Sequence, residues 1–253
     1  MPNLQLIERH RRNYHLSSRL ETKTFSFNLN ESFSPDNFQK ALSNSLAEMG
    51  QDFTRYFDHG LPADVAILFI DVCGFSVKYS HLEGEEIAEY FDRYYNEVIP
   101  LIYKYGGVVE KIIGDGIIAL FGPPFLDESF DEVINSANKC AKAIIKKTIG
   151  SEFSSKVAFH AGTVNYFKNK TGLYYEFTMI GKPLTELFRL ESIALDDCIN
   201  YYGDSLISEW YSPKFANLNG KNSGRIDWSH NKTRIQNLKG VSYDHFYAVE
   251  FLE

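Results

Sequence analysis

The 253-residue sequence has little of what secreted, membrane-spanning and nucleic-acid-binding proteins require. Its cysteines are Cys73, Cys140 and Cys198, whose wide spacing fits neither a disulfide framework nor a metal-binding motif. We therefore expect free thiols in a reducing cytoplasm. No apolar run approaches the roughly 20 residues of a transmembrane helix. The charged N-terminal segment also lacks the apolar stretch of a secretory signal.

Positive charge is scarce as well. Lysine and arginine number 26 against 33 aspartates and glutamates, which gives a formal net charge of −7. We expect no binding to nucleic acid or to a membrane, and an anionic substrate would need a metal ion and a few local cations. Aromatic residues, in contrast, are abundant at 15%, and 44% of all residues are hydrophobic. This composition supports a large folded core rather than disorder.

The first 61 residues differ from the rest. They are mostly polar, with one amphipathic helix predicted within residues 36–57 from the spacing of its hydrophobic residues. Gly60-Leu61-Pro62 looks like a boundary. We expect an N-terminal extension at residues 1–61 and a single larger domain at residues 62–253.

The larger domain alternates strand and helix patterns. The sequence predicts a strand at 65–70, a helix at 84–105, a hairpin at 108–121, a helix at 131–150, strands at 156–167 and 173–181, and a helix at 182–195. For the remainder, residues 200–253, the pattern predicts short β-strands separated by turns. The order strand, helix, hairpin, helix, strand predicts an α+β fold with a ferredoxin-like βαββαβ core and additions.

Two aspartates lie where apolar runs end. In "VAILFIDVCGFS", Asp71 follows a run typical of a buried strand and precedes a turn into a helix, whose free N–H groups favour phosphate. In "KIIGDGIIALFG", Asp115 sits in a glycine turn between two runs that both look buried. Each alone is an ordinary turn or capping residue. Together, two carboxylates on neighbouring strand ends predict a divalent-metal site for a polyphosphate.

Both segments resemble the metal motifs of the class III nucleotide cyclase catalytic domain, Asp-x-x-Gly-Phe and Lys-x-x-Gly-Asp followed by an apolar strand and Phe-Gly. The resemblance implies a nucleotidyl cyclase, a phosphorus-oxygen lyase. It would use two Mn²⁺ or Mg²⁺ ions per site, with Asp71, Asp115 and Val72 as metal ligands. It also implies substrate contacts at Gly74 and Phe75.

A third segment, "EFTMIGKPLTELFRLES", resembles the later family motif with departures. Arg189 matches, and the resemblance implies that it stabilises charge on the phosphate in the transition state. Thr185 stands where the family has asparagine, so it would place the ribose through a single hydroxyl. Leu187 and Phe188 replace two small alanines, either tightening the nucleotide pocket or only repacking the core.

The resemblance implies three further substrate contacts. Lys111 and Thr178 fall on the positions that read the base, and Lys239 on a lysine near the triphosphate. Each also has an ordinary explanation, as a strand-end lysine, a strand-favouring residue and a lysine before a turn glycine. His160, within a predicted strand, is expected to be a packed or hydrogen-bonded residue rather than a catalytic base.

The resemblance leaves the base open. The short domain and the Thr185 departure favour a stand-alone pyrimidine cyclase like those of bacterial Pycsar anti-phage systems. It would convert UTP or CTP to the 3′,5′-cyclic monophosphate and pyrophosphate, and a separate effector protein would sense the product. Lys111 and Thr178 instead support an adenylate cyclase that makes cyclic AMP. A weakly active, nucleotide-binding module is the third reading. Any of the enzymes would be a homodimer with active sites shared between its chains.

Overall fold

The computed structural model describes residues 55–57, 59–168, 177–218, 228–236 and 238–252. The N-terminal helix predicted within residues 36–57 therefore lies outside the described residues, except for 55–57, which are helical. The strand predicted at 173–181 is described only from Phe177 onward.

Strands and helices alternate as the sequence pattern indicates. The strands are β1 (Pro62–Val72), β2 (Val108–Ile113), β3 (Gly116–Phe121), β4 (Ser155–Lys168), β5 (Phe177–Ile180), β6 (Cys198–Tyr202), β7 (Trp228–Arg234) and β8 (His245–Phe251). The helices of the larger domain's described part are α1 (Phe75–Lys78), α2 (Gly84–Lys104), α3 (Phe130–Thr148), α4 (Lys182–Glu191) and α5 (Leu206–Leu218).

The eight strands of the described residues form one sheet. Its order is β2-β3-β1-β4-β6-β8-β7, with β5 paired to β4. The pairs within β2-β3-β1-β4 are antiparallel, and β4 runs parallel to β6. Strands β1 to β4 with helices α2 and α3 are the predicted ferredoxin-like core, so the α+β fold prediction is confirmed.

The sheet separates two hydrophobic clusters, and β1 contributes to both. Leu68 and Ile70 point into a cluster that also contains buried residues of α2 and α3. Ile67 and Phe69 point into the opposite cluster, which includes Leu187 of α4. Because successive side chains of a strand point to opposite faces, a strand covered on both sides must be apolar throughout. This is why Val65 to Ile70 form an uninterrupted apolar run.

Two local predictions are wrong, and one is refined. The C-terminal part is not only strands and turns, since it contains α5, where the Ser205 hydroxyl accepts a hydrogen bond from the backbone N–H of Ser208. The predicted helical segment after Asp71 is present, but it consists of a single turn, α1, and the long helix α2 begins separately at Gly84 with a capping box from Glu83. Finally, β3 is buried throughout, whereas the end of β2 is not, because Ile112 and Ile113 are each 43% exposed.

The expected free thiols are observed. Cys73, Cys140 and Cys198 are unpaired and buried. Burial raises the pKa of the Cys73 thiol to about 12, so it is a poor nucleophile at neutral pH. Across the described ranges, the structure contains no helix that combines the length and the apolar character needed to cross a membrane.

Candidate active site

The two predicted metal ligands converge at one end of the sheet. In the β1–β3 ladder Ile70 pairs with Ile117, so the next step along the register sets Asp71 against Gly116, the neighbour of Asp115. Asp115 lies in the two-residue turn between β2 and β3. Strand pairing therefore brings Asp71 and Asp115 to the same end of the sheet.

The hairpin tip is held in place by two aromatic residues. The Tyr95 hydroxyl of α2 donates a hydrogen bond of 3.4 Å to the carbonyl of Gly114. The ring of Phe69 packs so closely against Gly116 that a Cβ there would lie 2.5 Å from a ring carbon. Glycine at this position lets the Phe69 ring pack directly against the backbone next to Asp115.

The carboxylates of Asp71 and Asp115 repel each other, and Asp71 is partly buried away from water. Burial, and then the negative charge of Asp115, raise the pKa of Asp71 from 3.8 to about 6. The nearby ammonium of Lys156 lowers the pKa of Asp71, and the negative charge of Glu191 raises it. A divalent cation would offset this repulsion, and carboxylate oxygens are the ligands that Mg²⁺ and Mn²⁺ prefer. The residues present thus fit a divalent-metal site.

Lys156 and Glu191 form a cluster of charged side chains with Asp71, and no sequence motif indicates either residue. Lys156 is paired with Asp71 in the β1–β4 register, and Glu191 is the last residue of α4. The Lys156 ammonium lies 3.3 Å from Oδ2 of Asp71 and 2.9 Å from Oε1 of Glu191. Only strand register and helix packing bring the three side chains together, so no local sequence signal exists for this contact.

The loop after β1 holds the other residues of the first motif. Val72 is buried, and Gly74 has a left-handed conformation with φ of 66°, which glycine adopts without strain. Phe75 packs in an aromatic cluster, with ring centroids 4.7 Å from Phe91 and 5.2 Å from Tyr90. The described contacts of the Phe75 ring are therefore with the core, and its predicted substrate contact stays a prediction.

Helix α4 presents the residues of the third motif on two faces. Thr185 and Arg189 are exposed and one turn apart, so they share a face. Leu187 is completely buried in the core, whereas Phe188 is 36% exposed and packs edge-to-face on Phe69, with ring centroids 5.5 Å apart. The two replacements of small alanines thus have different environments: Leu187 fills the core, and Phe188 lies at the surface against Phe69, which packs on Gly116 next to Asp115.

The three remaining predicted contacts lie in separate elements. Lys111 is half-buried in β2, opposite Ile118, next to an irregularity in the ladder that re-aims side chains. Thr178 lies in β5, and Lys239 lies exposed in the turn before β8. Lys111 shares the hairpin of Asp115, whereas Thr178 and Lys239 belong to other parts of the fold.

His160 is a packed residue, as the sequence predicts. It is buried on β4, and its Nε2 lies 3.1 Å from a carboxylate oxygen of Glu186 on α4. Burial acts to raise the pKa of Glu186, but the contacts with His160 and Lys182 outweigh it, so the pKa is lowered. Glu186 is the buried, ionised partner that holds α4 to the sheet.

A second group of candidate ligands lies elsewhere. Asp204, Asp244 and His245 place ligand atoms within 4.8 Å of one another, after β6 and at the start of β8. Both aspartates are exposed, and His245 is buried. Sequence reasoning missed this group because Asp204 is distant along the chain from the adjacent Asp244 and His245. Exposed acidic groups often cluster without binding an ion, so we assign it no role.

Comparison with known proteins gives distant relatives. No protein-family model matches the sequence. Rv1319c, an uncharacterised protein of Mycobacterium tuberculosis, is 23% identical over 130 residues, which is 51% of this chain and 24% of that protein. The terminal-differentiation-specific adenylate cyclase of Dictyostelium discoideum is 27% identical over 168 residues, 66% of this chain and 7% of that protein. The chain therefore matches about a quarter or less of the length of these relatives.

Solved structures match over most of the chain. The adenylyl cyclase CyaB from P. aeruginosa has a TM-score of 0.60 and 20% identity, covering 76% of this chain and 96% of that one. The guanylyl cyclase Cya2 has a TM-score of 0.56 and 19% identity, covering 77% of this chain and 95% of that one. The chain has the class III nucleotide cyclase fold. Since this fold is found in an adenylyl and in a guanylyl cyclase, the fold itself does not choose a base.

Proposed function

We propose that residues 62–253 are a nucleotidyl cyclase domain that converts a nucleoside triphosphate to its 3′,5′-cyclic monophosphate and pyrophosphate. The observation that carries the proposal is the convergence of Asp71 and Asp115 at one edge of a cyclase-type sheet. The exposed Thr185 and Arg189 on α4 add a second set of polar groups, at the positions where the family motif has asparagine and arginine.

Each residue has a defined task in this reaction. Asp71, Asp115 and the backbone at Val72 would hold Mn²⁺ or Mg²⁺, two ions per site. When bound, these ions neutralise the triphosphate and lower the pKa of the ribose 3′-hydroxyl. Arg189 stabilises negative charge on the reacting phosphate, and Thr185 orients the ribose by one hydrogen bond.

The remaining residues bind the ends of the substrate. Lys111 donates hydrogen bonds to an acceptor on the base edge, beside Thr178. Gly74 and Phe75, in the loop after β1, and Lys239, in the turn before β8, contact the triphosphate. These assignments rest on the match of each residue to the family motifs.

The proposal includes a homodimer in which the two chains complete each other's sites. One chain supplies Asp71 and Asp115, and the other supplies Arg189, Thr185, Lys111 and Thr178. Support comes from the exposure of Thr185 and Arg189, whose side chains are free to reach a second copy. The exposed Ile112 and Ile113, which precede the turn that carries Asp115, provide apolar surface for such a contact.

We favour UTP or CTP as the substrate. Phe188 supports this choice, because it is partly exposed and packs on Phe69 next to the β2–β3 turn. Its ring would narrow the space available to a base bound there. A purine needs room for two fused rings. The resemblance to the Pycsar cyclases further suggests a cytoplasmic signal in anti-phage defence, read by a separate effector protein that binds the cyclic nucleotide.

Adenylate cyclase activity is the second candidate. It is supported by the 27% match to the Dictyostelium adenylate cyclase and by Lys111 and Thr178, which fall on base-reading positions. Lysine also fits acceptors on pyrimidines, so Lys111 does not separate the two candidates.

One experiment tests both proposals. The full chain is incubated with Mn²⁺ and an equimolar mixture of ATP, GTP, UTP and CTP, and the products are identified by mass. Cyclic UMP or cyclic CMP as the main product supports the pyrimidine cyclase, and predominant cyclic AMP supports the second candidate. The absence of every cyclic product from correctly folded protein would leave a nucleotide-binding module as the remaining reading.

A further inference from the structure

Lys156 is shared between two carboxylates on the face of the sheet that α4 covers. Its ammonium lies 3.3 Å from Asp71 and 2.9 Å from Glu191. The side chains of Lys156, Asp71 and Glu191 are mostly buried, with exposed fractions of 19%, 13% and 21%. Water screens charges weakly in such a place, so each contact influences any ion that approaches.

Separate elements hold the three residues. Asp71 and Lys156 are cross-strand neighbours in the β1–β4 ladder, and Glu191 ends α4. Strand pairing and helix packing therefore set where the Asp71 and Glu191 backbones lie, whereas the longer Lys156 side chain has more rotatable bonds. In the structure the shorter of its two contacts is with Glu191.

We propose that Lys156 and Glu191 set the affinity of Asp71 for a divalent cation, and that they do so with opposite signs. This inference rests on the proposed function, which makes Asp71 a metal ligand. The Lys156 ammonium competes with a cation for the Asp71 carboxylate. Glu191 draws the ammonium away and so keeps the carboxylate available.

The test measures Mn²⁺ binding to the full chain by calorimetry at pH 7.5, without nucleotide. Lys156→Met keeps the apolar stem and removes the competing charge, so we expect its Kd for Mn²⁺ to fall about fivefold, as for the loss of one partly buried ion pair. Glu191→Gln leaves Lys156 with Asp71 alone, and its Kd should rise about fivefold.

A double variant separates competition by Lys156 from a general effect of nearby charge. If Glu191 acts through Lys156, Glu191→Gln weakens binding much less in the Lys156→Met background than in the wild type. A simple field effect would weaken binding equally in both backgrounds and would overturn the proposal.

The ion pair between Lys147 and Glu97 is the matched control. Its nitrogen and oxygen are 2.8 Å apart, and it joins α3 to α2 on the other side of the sheet. Lys147→Met and Glu97→Gln make the same chemical changes there and should leave the Kd for Mn²⁺ within twofold. Lys156→Gln replaces Lys156→Met if thermal unfolding shows that the methionine variant is not folded.

The outcomes distinguish this inference from the proposed function. If Mn²⁺ binds the wild type, is lost in Asp71→Asn, and shows the opposite shifts above, the inference holds. If Mn²⁺ binding needs Asp71 but both variants leave the Kd unchanged or shift it in the same direction, the inference is wrong and the metal site stands. Mn²⁺ binding that does not depend on Asp71 overturns both.

Discussion

Lys156 lies across the β1–β4 ladder from Asp71, with its ammonium 3.3 Å from the Asp71 carboxylate. Even with this cation nearby, burial and the charge of Asp115 raise the pKa of Asp71 to about 6. The end of β1 therefore carries a negative charge at a cost to the stability of the fold, which is typical of a site that serves binding rather than folding.

Removing either aspartate should abolish cyclisation and leave the fold intact. In Asp71→Asn the free energy of unfolding at pH 8 without metal should also rise, by about 1–2 kcal/mol, because a carboxylate disfavoured by burial is lost. Product mass analysis and urea unfolding measure the two effects. Near-wild-type activity in both Asp71→Asn and Asp115→Asn would contradict the metal-site proposal.

Two inactive variants should restore activity when mixed. In a heterodimer of Asp71→Asn and Arg189→Ala chains, one of the two shared sites contains an intact metal half and an intact arginine half. About a quarter of wild-type activity is expected for random pairing of equal amounts, since half of the dimers are mixed and each has one whole site. If heterodimers form, as native mass spectrometry can establish, and no activity returns, each site is complete within one chain.

Lys111→Ala should lower both the rate and the preference for one base. A lost hydrogen bond in a buried recognition site can change discrimination far more than a change of shape, by up to about 10⁴-fold against about 10–200-fold. The measurement is competitive turnover of an equimolar mixture of the four triphosphates. A variant with a lower rate and unchanged base preference would give Lys111 a structural role only.

Phe188 and Leu187 should respond differently to truncation. Phe188→Ala opens space next to the β2–β3 hairpin that carries Asp115, so turnover of purine relative to pyrimidine triphosphates should rise by about tenfold at little cost in stability. Leu187→Ala removes a fully buried side chain, and the free energy of unfolding should fall by about 2–5 kcal/mol with no change in base preference. The same competition assay and urea unfolding separate the two, and equal effects on preference would contradict a pocket role for Phe188.

His230 should make the protein sensitive to acid. Burial, and then the charge of Lys142, lower the pKa of His230 from 6.5 to about 4, and its Nδ1 lies 3.1 Å from the Tyr201 hydroxyl. Because the folded state holds the imidazole neutral, its stabilising contribution is complete above pH 6.5 and is lost as the pH falls toward 4.

The change in unfolding free energy between pH 7.5 and 4.5 tests this directly. It should be smaller by about 2 kcal/mol in His230→Gln than in the wild type. Equal changes in the two proteins would show that His230 does not titrate with folding.

The sequence by itself determined the features that depend on neighbouring residues. Side-chain periodicity and turn chemistry act over a few residues. Short segments therefore suffice to predict the apolar run of β1, the two-residue turn around Asp115 and the order of strands and helices. The paired aspartates could be predicted for the same reason, since each ends or interrupts such a segment.

The tertiary structure decided what depends on register and packing. That Lys156 meets Asp71, and that Glu191 meets both through Lys156, follows from the pairing of β1 with β4 and from the docking of α4. The different burial of Leu187 and Phe188, which are adjacent on one helix, likewise follows from which face of α4 the sheet covers. Such contacts join residues far apart in the chain, and only the packed sheet and helices bring their side chains within reach.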